Sequence, residues 1–185
     1  IIGDGNSSTS AIPIYSNLPY SSSQQIYTRA EMEQTGDIKS VSFKYKSGLS
    51  APCTRTVKVY LKQTTKEVFA SKTDWLSMTD ADLVYDGNIT INGIADEWVR
   101  IKLNTPFEYT GNNLAVCVYD YTNRVDDQII FAADVISDAK AMYYYNWISP
   151  APLDPSNLTG NGNIPSPTKR NQIRFSFVTG NEPGI

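Results

Sequence analysis

Hydrophobic residues recur at every second position along much of this chain. In Val41-Ser42-Phe43-Lys44-Tyr45-Lys46 and Val57-Lys58-Val59-Tyr60-Leu61-Lys62, apolar side chains alternate with polar ones, lysines prominent among them. Trp98-Val99-Arg100-Ile101-Lys102-Leu103 and Ile173-Arg174-Phe175-Ser176-Phe177 repeat the pattern. A period of two belongs to a strand with one face on a core and the other in water. The pattern predicts a core of Val41, Phe43, Val57, Val59, Leu61, Val99, Ile101, Phe175 and Phe177. The run Leu114 to Tyr119 is almost continuously apolar, which suits a strand covered on both faces and adds Leu114, Val116 and Val118 to that core. Further strands are predicted near Ile12–Tyr15, Gln25–Arg29, Leu83–Tyr85, Ile89–Asn92, Gln128–Ala132 and Ala141–Tyr145. Turn chemistry separates them at Thr35-Gly36-Asp37, Asp86-Gly87-Asn88 and Thr110-Gly111-Asn112. About ten strands with hardly any helical pattern predict an all-β fold, a two-sheet antiparallel β-sandwich of jelly-roll type. The one helical turn expected is Thr73–Met78, capped by Thr73 or Asp74.

Two stretches break the alternation. Ser149 to Lys169 holds five prolines and two glycines, so it cannot supply a ladder of N–H donors and reads as a long surface loop. Val178 to Ile185 is rich in small and turn-forming residues. A single domain over residues 1–178 followed by a linker at 179–185 is expected, with neighbouring domains in the parent chain. The opening Ile1-Ile2, without Met, points to a processed or excised piece.

Composition narrows the chemistry. At 185 residues the chain fits one domain. There is no histidine, so no Ser-His-Asp or Cys-His catalytic unit and no His-ligated metal can be assembled. Sixteen cationic against nineteen anionic residues give a net charge of −3, which argues against a nucleic-acid partner. No apolar run approaches the roughly 20 residues that span a bilayer, so direct membrane insertion is not expected. Six glutamates are scattered over polar stretches and turns, none in a run that would bury it and keep it protonated for glycoside hydrolysis. A non-enzymatic role is the expectation.

The order of motifs resembles a known group. Ile2-Gly3-Asp4-Gly5-Asn6 precedes Pro13, Tyr20-Ser21, Gln25-Ile26-Tyr27 and Ile38-Lys39-Ser40-Val41. Val57 to Leu61, Thr64-Thr65-Lys66, Phe69, Thr73-Asp74-Trp75 and Leu83 to Gly87 follow. Trp98, Thr105 to Tyr109, Asn113-Leu114, Val116, Val118 and Ile173-Arg174-Phe175 complete the series. This resembles the all-β adhesin-type modules of secreted and surface proteins of Bacteroidetes and related bacteria. The resemblance implies an extracellular or cell-surface location and a part in cell adhesion beside other domains, with no catalytic residues to carry over.

Three clusters invite a functional reading. Tyr143-Tyr144-Tyr145-Asn146-Trp147 crowds aromatic rings against the proline-rich loop. Flat rings take the C–H faces of sugars, and amides beside them take hydroxyls. Alternation sends Tyr143 and Tyr145 to one face and Tyr144 to the other. The expected carbohydrate-binding set is Tyr144 and Trp147 with Tyr121, Asn146 and Asn157, the alternative being that some of these rings are core. Asp120, Asn123, Asp126 and Asp127 gather oxygens that suit calcium, the one cofactor considered, without an EF-hand spacing; a solvated acidic loop is the alternative. Cys53 and Cys117 either form a disulfide or stay as buried thiols. The function expected is a non-catalytic adhesion or carbohydrate-binding module whose partner is a glycan or a host or cell-surface protein. The alternative is a structural spacer that positions a neighbouring catalytic domain and has no ligand.

Overall fold

The alternating segments become long paired strands. The computed structural model describes residues 1–179, so most of the linker expected at 179–185 lies outside the described residues. The strands are β1 (Ser7–Thr9), β2 (Tyr20–Tyr27), β3 (Gly36–Ser47), β4 (Cys53–Thr64), β5 (Leu83–Ile91) and β6 (Trp98–Tyr109), then β7 (Asn113–Asp120), β8 (Ile130–Ile136), β9 (Ala141–Asn146), β10 (Thr168–Asn171) and β11 (Ile173–Phe177). Strands make up 49% of the structure and helix 6%, and the chain is a two-sheet antiparallel β-sandwich. One sheet has the order β5-β4-β7-β2-β9. In the other, β3 lies between β6 and β11, its end reaches β8, and β8 also pairs with β1 and β10.

The inner faces carry the predicted core. Val41 and Phe43 of β3, Val57, Val59 and Leu61 of β4, Val99 and Ile101 of β6, and Leu114, Val116 and Val118 of β7 are buried in one cluster between the sheets. Each such side chain contributes roughly 1.5–3 kcal/mol on burial. Phe175 and Phe177 differ from expectation: they sit at the margin of this cluster and are only partly buried. The continuous apolar run on β7 is covered on both faces as expected. Ala115, Cys117 and Tyr119 join Tyr20 and Tyr60 in a second cluster on the outer face, under Met78 and Leu153.

That cover is the proline-rich segment. Instead of a solvated loop, it lays Leu153 and Leu158 down as buried residues. Its Gly160 and Gly162 let the backbone approach closely. A Cβ on Gly160 would stand 2.5 Å from the Tyr144 ring, and one on Gly162 2.6 Å from Trp75. Proline-rich backbone that cannot extend the sheet can still pack over it, because Ser22 Oγ donates to the Leu153 carbonyl and the Met78 N–H to that of Pro155.

Three local expectations are corrected. Asp86-Gly87-Asn88 is not a turn: β5 runs straight through it, Gly87 opposite Val57, because the long β4 supplies a continuous pairing edge. Ile12–Tyr15 is not a strand; around Pro13, which has no N–H to donate, the segment bends and buries Ile12 and Ile14. Thr73–Met78 is not helical, since the Leu76 N–H bonds the Gln24 side chain and Asp74 accepts from Ala70 and Lys66. A short helix, α1 (Arg29–Met32), forms after Thr28 instead, whose N–H donates to Glu31 in a capping box.

Candidate functional site

Strand β9 is the edge of the five-stranded sheet and ends in the aromatic run. Opposite Ser21 and Ser23 of β2, Tyr145 and Tyr143 point to the inner side of the edge, and Tyr144, opposite Ser22, points to the outer face. The bent segment before β2 places Tyr15 against the first two. The three rings lie within 26° of parallel, with Tyr15 4.8 Å from Tyr145 and 6.2 Å from Tyr143, and 6.1 Å between the last two. This is the offset geometry that aromatic pairs prefer. Beyond it the chain turns. Asn146 Oδ1 accepts from the N–H groups of Ile148 and Ser149 at 2.7 and 3.2 Å, an Asx turn that holds the tip. Trp147 is 64% exposed and Ile148 88%, next to Tyr145 at 37%. The edge thus presents a stacked group of three phenol rings, followed in the chain by an exposed indole and isoleucine.

The other expected contact residues are dispersed. Tyr144 faces outward as alternation requires, but it packs against the outer-face cluster beneath Gly160. Tyr121 follows β7, two strands in from the edge. Its ring centroid lies 5.6 Å from that of Tyr119 and 5.9 Å from Lys58 Nζ, and its hydroxyl donates to Asp86. Burial and that carboxylate push the phenol up to about 12. Asn157 is exposed in the covering loop, its N–H donating to Asp154. Tyr15 was missed because its segment reads as a strand. The signal available was Pro13, which breaks a ladder.

The acidic loop converges on an arginine. Arg55 is the largest fully buried side chain, and it donates to Asp120 Oδ2 from Nε and Nη2 at 2.9 and 2.7 Å and to Asp126 from Nη1 at 2.8 Å. Arg124 donates to both oxygens of Asp126. Burial pushes the Asp120 carboxyl up, while Arg55 and Thr122 pull it back. Hydrogen bonds from Arg124, with Arg55 beside it, hold Asp126 at about 2. Asn123 accepts from the Tyr20 hydroxyl at 2.6 Å, and Asp127 from Ser50. The four oxygens expected to share a calcium ion are therefore matched with protein donors, and a divalent cation would have to displace the Arg55 guanidinium. Among the described residues, no three Asp, Glu, His or Cys side chains come together in a metal-binding group.

The disulfide does not form. Cys53 and Cys117 are free and buried. Cys117 stands opposite Tyr60, seven residues along β4 from Cys53, a separation of about 23 Å at strand rise. They also belong to different clusters, one between the sheets and one outside. Cys53 borders a shallow cleft of about 530 Å³ with Pro52, Arg124 and Asp126, where burial and Asp126 push its thiol up to about 11 and away from nucleophilic use. Among the described residues, no helix is long and apolar enough to cross a membrane. In comparisons with known proteins, no family model, curated protein or solved structure matches the chain.

Proposed function

We propose that this chain is a non-catalytic carbohydrate-binding and adhesion module of a secreted or cell-surface bacterial protein. The glycan is taken at the β9 edge by Tyr145 and Trp147, with Tyr15 and Tyr143 behind them. The observation that supports this reading is the aromatic edge itself: three near-parallel phenol rings, with an exposed indole and isoleucine following Tyr145 in the chain. Clustered exposed apolar residues mark interaction sites, and aromatic faces suit the C–H faces of pyranose rings. The rigidity of the tip supports it too, since a platform fixed by the Asn146 turn loses little freedom on binding. The resemblance of the motifs to adhesin-type modules agrees with it.

Glu31 is not poised as a general acid. Glu31 is the most structured glutamate, and burial alone would raise it. Hydrogen bonds from Arg170 and Thr28 prevail and hold it at about 2, so it carries no proton to donate near neutrality. The test is a glycan array probed with the purified chain. Binding to neutral glycans that present an unobstructed sugar face is the expected result. Silence across the array would replace this reading with the structural spacer.

A further inference from the structure

The opposite side of the sandwich carries a feature that the aromatic edge does not use. Where β6, β3 and β11 run side by side, Val41, Phe43, Val99, Ile101 and Ile173 point inward, so the residues between them point out. Their register forms a block: Trp98 opposite Lys44, Arg100 opposite Ser42 and Arg174, and Lys102 opposite Ser40 and Ser176. Arg100 and Arg174 flank β3 about 10 Å apart, and Arg100 and Lys102 are about 7 Å apart along β6. Four cations thus share one flat face in a chain of net charge −3. Among the described residues, Arg100, Lys102 and Arg174 have no carboxylate within ion-pair distance, whereas Arg55, Arg124 and Arg170 each have at least one. Lys44 reaches Asp96 at 3.8 Å at one end, and the pair Asp37 and Glu108 closes the other.

Two further observations point to a ligand. The Arg174 guanidinium lies 4.3 Å from the centre of the Trp98 ring, with Lys44 Nζ at 5.9 Å, so the indole orders both cations without neutralising them. At the floor of the block, Ser40 is fully buried and its hydroxyl has no hydrogen-bond partner. A buried unsatisfied hydroxyl is unfavourable and rare, and register sets this one between Lys102 and Ser176.

We propose that this face binds a linear polysaccharide bearing sulfate or carboxylate groups, with Arg100, Lys102 and Arg174 as the charge contacts and Ser40 as a hydroxyl donor once its neighbours shift toward the anion. Arginine forks suit both groups in bidentate contact. A nucleic acid is disfavoured: the face is built of paired strands, and Arg174 occupies the Trp98 ring that would stack a base.

The test titrates the chain with dextran sulfate, polygalacturonate, neutral dextran and double-stranded DNA. Binding to dextran sulfate, to polygalacturonate or to both, tighter than any binding to dextran, is expected, and which of them binds identifies the anionic group. The affinity should fall steadily with added salt. Arg100→Gln with Lys102→Gln should weaken it roughly tenfold, and Arg174→Gln roughly threefold. Lys72→Gln, an exposed cation away from this face, should leave it unchanged. Melting curves establish that each variant is folded; if Arg174→Gln melts early, the Arg100 and Lys102 pair carries the test. No binding to either anionic polymer, equal binding to DNA, or full binding by the Arg100→Gln/Lys102→Gln variant would overturn the proposal.

Discussion

Arg55 is the residue on which the loops at its end of the sandwich depend. Its guanidinium, with no exposed surface, ties β4 to Asp120 at the end of β7, to Asp126 and to the carbonyls of Leu18 and Arg124. Removing one partner of such a pair leaves a buried charge uncompensated. Arg55→Ala is therefore expected to cost about 3–5 kcal/mol in denaturant unfolding; a loss under about 1 kcal/mol would show that the pair is not holding the loops. Glu31 makes a second test, through pH. Its carboxyl titrates at about 2 in the folded chain against an ordinary 4.5, so its contribution is complete above 4.5 and is lost as pH falls toward 2. Glu31→Gln should melt below wild type at pH 7, and the two curves should converge as pH approaches 2. A constant gap over that window would show that the Arg170 contact does not depend on the carboxylate charge. Neither partner assignment is legible in the sequence. Arg55 alternates correctly as an inward residue of β4, but a lone arginine among threonines and valines gives no sign of which acids will meet it.

At the scale of elements, alternation located β3, β4, β6 and β11, while β2, expected over Gln25–Arg29, starts earlier at Tyr20 and gives way to α1 at Arg29; the double burial of β7 followed from its unbroken apolar run. Two of the failures share one cause, which is that tertiary cover overrides local chemistry. Asp86-Gly87-Asn88 has turn composition, yet β4 offers it a pairing edge twelve residues long. The proline-rich segment has loop composition, yet it packs as the lid of the outer face. Gly162→Ala tests that lid. The added methyl would meet Trp75 and Met142 at 2.6 and 2.7 Å, and overpacking of this kind costs about 1–3 kcal/mol. Differential scanning calorimetry should show a lowered melting temperature; an unchanged one would mean that the segment lifts freely and does not seal the sheet.

For the whole molecule, the sandwich separates two surfaces. The β9 edge gathers apolar rings, and the β6–β3–β11 face gathers cations. The aromatic run was visible in sequence, but the surface it builds was not, because Tyr15 arrives from a segment about 130 residues away and Tyr144 is spent on the covering loop. The basic face was visible only as lysines and arginines alternating with core residues; strand order was needed to set β11 beside β3 and β6. The central claim is that the β9 edge is a sugar platform, and the most direct measurement is calorimetric titration of an array-identified neutral glycan into wild type, Tyr145→Ala and Trp147→Ala. Loss of one stacking ring corresponds to roughly tenfold in affinity, so each variant should bind at least that much more weakly while melting as wild type does. Equal affinity in all three proteins would contradict the account.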